Sequence, residues 1–212
     1  SAVKGLVCVL KLFIQNGKLR RQDDITEEFF GYYLAPMFNS VKRMNCTTDI
    51  PFGVFFSDNV DECANKLWDL NEERKAAVTA YYEELMGMAQ PYAPHIYYSN
   101  APAGILGLLA TKRIGETGEP TFVLSSNGGN GFRGSGRSPL WFPAISLLQP
   151  AGFHAAGHEG AFGIGVTDLR ELKALSSYVD KKADELRPEV SEDDVLSCDI
   201  EIATDDTGDS NI

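Results

Sequence analysis

The sequence predicts an α/β chain in three parts: a helical segment, a long connecting helix, and a mixed β-sheet domain flanked by helices. Three observations predict it. Residues 3–37 place apolar side chains at helical spacing. Residues 58–89 carry the longest helical stripe of the chain. After Pro91, short apolar runs alternate with helical patterns and Gly-rich turns, the texture of a sheet with helices packed on it.

The elements follow in order. Val3, Leu6, Val7, Leu10 and Phe13 make a first helix over 3–15. A second starts after Asp24-Ile25-Thr26 with Thr26 as its cap and runs through Phe29, Phe30 and Tyr33 to about Met37, with Pro36 bending or ending it. Residues 38–57, with Pro51 and Gly53, read as turn and extended chain. In 58–89 the stripe is Val60, Ala64, Leu67, Val78, Tyr81, Leu85 and Met88. Asn71 and Arg74 fall on it and interrupt it, which predicts that the two halves of the helix pack on different bodies. His95–Tyr98 reads as a strand, 102–114 as a helix opened by Pro102, and Thr121–Leu124 as a buried strand. Residues 127–136 read as a turn and a strand. Ser138-Pro139 reads as the cap and first position of a helix to about Leu148. Strands near 153–156 and 161–166, a helix Leu169–Leu186, a strand Val195–Ile202 and an acidic tail complete the chain.

Composition excludes several classes. The net charge of −11 over 212 residues argues against a protein that coats nucleic acid, while leaving room for a narrow phosphate site. Cys8, Cys46, Cys63 and Cys198 have no metal-knuckle spacing and read as reduced thiols of a cytoplasmic protein. No signal peptide and no apolar run of membrane-spanning length is present. Asp23-Asp24, Glu27-Glu28 and Asp193-Asp194 lack neighbouring histidines and read as solvated helix ends, so no metal site is expected. No phosphate-binding Gly-Lys loop or nucleophile elbow occurs. The chain opens on Ser1-Ala2 without Met and enters a helical pattern at once, which reads as a piece of a longer protein.

Two short segments carry candidate chemistry. Gly134-Ser135-Gly136-Arg137-Ser138-Pro139 sets a guanidinium and two hydroxyls at a strand end before the expected helix start, where free amides favour anions. Ala156-Gly157-His158-Glu159-Gly160-Ala161-Phe162-Gly163 sets a histidine among glycines, which mark close backbone approach or positive φ. Phosphate is the ligand that fits both. His95 and His154 read as core histidines, and Gly104 and Gly107 as close packing of a helix on the sheet.

In order and spacing, these segments resemble the C-terminal half of RecJ-type single-strand DNA exonucleases, of the DHH phosphoesterase superfamily, from about Val3 to about Ile202. Residues 34–44 are similar to the family's Pro-Arg-Leu-Asn-Ala-Ala-Gly-Arg-Met segment, and 70–75 to its long connecting helix. Gly104-Ile105-Leu106-Gly107-Leu108-Leu109-Ala110 is similar to its Gly-Val-Ile-Gly-Ile-Val-Ala helix. Ser135-Gly136-Arg137-Ser138 is similar to its Ser-Ala-Arg-Ser, and Gly157-His158 with Ala161 and Gly163 to its Gly-Gly-His turn. The chain departs from the pattern at Ala156, which replaces the first Gly of that turn, at Val41-Lys42, which replace Ala-Gly, and at Met37, which replaces a basic residue.

The resemblance implies the remnant of a DHH catalytic domain in 1–57, a connector in 58–89, a substrate-binding domain in 90–203 and a tail in 204–212. It implies that Arg137, Ser135, Ser138, His158 and Gly157 hold substrate phosphate, with Arg43 facing the cleft from the catalytic side. The parent would be a Mn2+- or Mg2+-dependent hydrolase of single-stranded DNA, of the kind used in repair and recombination. The Asp-His-His string is absent here, so this chain, without the N-terminal DHH domain, is expected to bind strands and cleave nothing. Two other readings remain open: a phosphodiesterase acting on short oligoribonucleotides or signalling nucleotides, and a non-catalytic partner-binding module.

Overall fold

A computed structural model describes residues 2–20 and 25–189. The expected strand 195–202, the tail, Cys198, Asp23-Asp24 and Asp193-Asp194 lie outside them. The helical part contains α1 (Ala2–Gln15), α2 (Glu27–Phe29), a π turn (Phe30–Leu34), α3 (Ala35–Arg43) and α4 (Asp49–Phe56), of which α1, α3 and α4 lean on α5 (Val60–Gly87). Thr26 caps α2 as expected, its Oγ1 accepting from Phe29 N at 3.2 Å.

Two expectations fail here for identifiable reasons. The helix expected to stop near Met37 runs on to Arg43, because the π turn just ahead of Pro36, closed by Ala35 N–H donating to Phe30 O, widens the backbone and lets the ring enter. Residues 49–56 are helical rather than extended. Pro51 sits in the first turn, where its missing N–H breaks no helix bond. Gly53 admits the Cys63 side chain of α5; a Cβ there would lie 2.6 Å from its Sγ.

The 28 residues of α5 span about 42 Å. Val60, Ala64, Leu67 and Leu70 join the helical core with Phe13, Met37 and Val54. Tyr82 and Leu85 join a different core with Tyr97, Ile105, Leu109 and Val123. One helix therefore contributes to two apolar clusters, and the polar gap at Asn71 and Arg74 marks the change.

The sheet consists of β1 (Ile96–Tyr98), β2 (Thr121–Ser126), β3 (Phe132–Arg137), β4 (His154–His158) and β5 (Ala161–Val166), in the order β1-β2-β3-β5-β4. The β1–β2 pair is parallel and the others antiparallel. Between β1 and β2 runs α6 (Ala103–Thr117), ending three residues later than expected, where Gly118 at φ 68° closes it. Alternation along β2 sends Phe122 and Leu124 to one face, under α7 (Ala144–Leu148) and α8 (Leu169–Leu186), and Val123 to the other, under α6. On that second face α6 covers the sheet from β2 to β3, and exposed residues of β4 and β5 lie beyond it.

The helix expected from Pro139 starts only at Ala144. Ser138 Oγ instead donates to Phe142 O at 2.5 Å, folding 138–142 into a turn that seats Phe142 in the core. His95 is buried as expected, its Nδ1 3.0 Å from Pro120 O. His154 is exposed, because it faces the side of the sheet opposite the core residue Ala155. Cys8, Cys46 and Cys63 are free thiols. Among the described residues no helix is long and apolar enough to cross a membrane.

Candidate functional site

The register across β3, β5 and β4 places Arg137 opposite Ala161, and Ala161 opposite His158. Residues opposite one another share a face, so Arg137 and His158 stand on the same side of the sheet, roughly 10 Å apart at the backbone with the small Ala161 between them. Ser135, two residues before Arg137, shares that face. Gly157 has φ 140°, and a Cβ there would lie 2.7 Å from Ala161 O, so only glycine lets β4 approach the hairpin this closely. Glu159, at the hairpin tip, accepts from Ile145 N at 2.7 Å and from Ser146 N and Oγ, which ties the turn carrying His158 to α7.

The Arg137 guanidinium leans toward α6. Its Nε donates to Thr111 Oγ1 at 3.0 Å and its Nη1 to Gly136 O at 2.8 Å. A Cβ on Gly107 of α6 would lie 2.9 Å from Arg137 Nη2, 3.4 Å from Ser135 Oγ and 3.6 Å from Arg43 Nη1. Arg43 ends α3 and donates to Gly104 O at 3.2 Å. Gly107 therefore clears space for a meeting of Arg43, Ser135 and Arg137. Gly104 serves another contact: it lets α6 lie against the backbone of Arg43, not against the sheet as expected. Beside this contact a cleft of about 760 Å³ opens between α3 and the start of α6, lined by Asn39, Lys42, Arg43, Asn45 and Gly104.

A third guanidinium completes the cluster. Arg74 of α5 is held by Asn71 Oδ1, from Nε at 3.2 Å and Nη2 at 3.1 Å. Burial, followed by the charge of Arg43, pushes the Arg74 guanidinium below its usual range against the opposing pull of the Glu72 carboxylate, and burial and Arg43 act in the same order on Arg137. Among the described residues Arg113 and Arg187 pair with carboxylates, whereas Arg43, Arg74 and Arg137 have none in ion-pair range. Arg74 escaped the sequence reading as a site residue. Its signal was there, a charge on the apolar stripe of α5, but nothing local tied it to Arg43.

Ser138 does not join the group. It is buried, with its hydroxyl committed to Phe142 and its N–H to Gly160 O. Arg137 accordingly has no helix start beside it, and its anion-binding capacity rests on side chains. Among the described residues no group of three or more His, Cys, Asp or Glu could hold a metal ion. The Mn2+ or Mg2+ implied by the resemblance does not fit this stretch.

No family model and no curated protein matches the chain. Solved structures do. RecJ from Thermus thermophilus in complex with Mn2+ superposes with a TM-score of 0.64 at 19% identity, over 84% of this chain and 27% of that one. The same protein with Mg2+ gives 0.64 and 19%, over 84% and 28%. An exonuclease RecJ bound to manganese gives 0.60 and 18%, over 84% and 45%. The chain has a RecJ-like fold and spans about a quarter to a half of the length of these proteins.

Proposed function

We propose that this chain is the strand-holding part of a RecJ-like, metal-dependent nuclease and grips the phosphates of single-stranded DNA. The observation that carries the reading is the cluster of Arg43, Arg74 and Arg137, three guanidiniums with no carboxylate in ion-pair range among the described residues, in a chain of net charge −11. The superposing structures, a RecJ in complex with Mn2+ and an exonuclease RecJ bound to manganese, support the same reading. In it, Arg137 and Arg43 donate to phosphate oxygens, Ser135 adds a hydroxyl, Gly157 keeps the hairpin low, and His158 approaches the strand from across Ala161. Residues 1–57 would belong to the catalytic lobe, 58–89 would connect, and 90–203 would bind substrate. Hydrolysis is assigned to a metal-bearing part that the described residues do not form.

The test is fluorescence anisotropy with a 5′-phosphorylated single-stranded DNA at low salt. Loss of one charge-assisted contact costs about 1.5–3 kcal/mol, so Arg137→Ala should weaken binding roughly 10- to 150-fold. Adding Mn2+ should produce no cleavage by this chain. Unchanged affinity in Arg137→Ala refutes the site, and preference for a matched oligoribonucleotide refutes the assignment to DNA.

A further inference from the structure

The sheet face that carries Arg137 and His158 carries a second pair of the same kind. Arg133 lies opposite Gly165, and Gly165 opposite His154. Arg133 and Arg137 are four residues apart on β3, about 13 Å, and share one face. Between the two rows runs a third, Ser135–Gly163–Ala156. Arg133, His154, His158, Ala156 and Gly163 are all exposed. Arg133 has no carboxylate in ion-pair range among the described residues.

A cavity of about 390 Å³ opens beside Arg133, lined by the polar residues Ser99, Asn100, Ser125, Ser126 and Asn127. It shares Pro102 and Ala103 with the cleft at Arg43, so the two spaces adjoin around the start of α6. The floor between the rows has been kept low without a demand from the fold. A Cβ at Gly163 would meet no atom nearer than 3.8 Å, and one at Gly165 none nearer than 3.9 Å. Neither glycine has positive φ. A glycine inside a strand costs about 0.5–1 kcal/mol relative to alanine, and neither packing nor backbone conformation explains it at these two positions.

We infer that Arg133 and His154 form a second phosphate-binding row, with the cavity beside Arg133 receiving a nucleotide, so that the face holds two phosphates of one strand more than one nucleotide apart. The inference rests on the reading of Arg137 and His158 as the first row, and it narrows the substrate class to oligonucleotides of at least three nucleotides. Adjacent phosphates, joined by a single sugar, do not bridge rows about 13 Å apart. The strand would lie over Gly163 with its backbone against the sheet.

The experiment measures the affinity of the chain for 5′-phosphorylated oligothymidylates of one to six nucleotides by competition. Affinity of the unaltered chain should rise by about tenfold or more beyond two nucleotides, one charge-assisted contact being gained. Arg133→Ala should bind one- and two-nucleotide ligands within about twofold of the unaltered chain while losing that rise, and its salt slope on the longest ligand should fall by about 0.7. Gly163→Val, whose Cβ would meet no atom nearer than 3.8 Å, should keep its melting temperature and lose the rise as well. If Arg133→Ala and Gly163→Val bind every length like the unaltered chain, the second row is refuted. If Arg137→Ala still weakens all lengths in that case, the first row stands alone. If Arg137→Ala binds every length like the unaltered chain, the first row falls and the two-row inference falls with it.

Discussion

Gly107→Ala separates site from scaffold in a single substitution. Alanine in a helix interior is about 0.8–1.0 kcal/mol more favourable than glycine. The added methyl would lie 2.9 Å from Arg137 Nη2, with Ser135 Oγ and Arg43 Nη1 next at 3.4 and 3.6 Å. All three are side-chain atoms, so the collision is relieved by swinging the guanidinium away and not by moving backbone. The swing endangers the Arg137 Nε bond to Thr111 Oγ1, about 0.5–1.5 kcal/mol when lost. Folding stability should therefore change by no more than about 1 kcal/mol in either direction, a melting shift within about 4 °C for a chain of this size. Phosphate binding should weaken roughly 10- to 150-fold, the loss of one charge-assisted contact. Anisotropy at low salt and a thermal melt read the two effects independently. Gly104→Ala is the contrast: its methyl would lie 2.2 Å from Arg43 O and 2.8 Å from Arg43 C and Cα, backbone that cannot yield. It should cost about 1–3 kcal/mol of stability by overpacking α3 against α6. A Gly107→Ala chain that binds phosphorylated DNA as tightly as the unaltered one would refute the placement of the ligand at this cluster.

Two further outcomes follow from charged and polar groups outside the cluster. The Glu159 carboxyl is held below the usual carboxylate range, chiefly by the Ser146 hydroxyl and then by the Ser146 and Ile145 amides. The stabilisation it gives is present above the unfolded carboxylate range and is lost as pH falls through the folded value. Hydrogen exchange at Ile145 and Ser146 should accelerate over that acidic interval, and Glu159→Gln should remove the pH dependence. Tyr82, buried and hydrogen-bonded to Glu116, has its phenol pushed up to about 12. The unfolded chain releases that proton near 10, so stability should decline from about pH 10 toward 12. Tyr82→Phe should flatten the decline in an alkaline denaturation series.

How far the sequence was legible depended on whether a local signal had a tertiary competitor. The helix Leu169–Leu186 was read to the residue because its apolar face and its cap agree: Asp168 Oδ1 accepts from Glu171 N at 2.8 Å. The two roles of α5 were legible for a similar reason, since its stripe breaks where its packing partner changes. Ser138-Pro139 misled because the helix-start signal was overruled by Phe142, whose burial bends the chain before a helix can begin. Pro51 and Gly53 misled because breakers were weighed without position: one sits in the first turn, the other against Cys63. In the proposed site, Arg137, Ser135 and His158 stand out in their motifs, and strand pairing puts them on one face of the sheet. Arg74 was not, since its nearness to Arg43 is created by α3 packing along α5.

Among the described residues, that cluster is a place where folding leaves a tension it had the means to relieve. The chain carries 30 acidic residues against 19 basic ones, so carboxylates are not scarce. One of them placed near Arg43 would have answered the burial and mutual repulsion that lower the affinity of Arg74 and Arg137 for their protons. Such a carboxylate would also compete with phosphate for the same donors. A net negative charge on the whole chain disfavours loose binding of a polyanion, while contacts inside a partly buried cationic centre escape much of the salt screening that acts on exposed charges. On the proposed function, affinity would then depend on inserting a strand into the seam between α3, α6 and β3 rather than on resting it against the exterior. Such an arrangement would make a narrow phosphate site compatible with a net charge of −11.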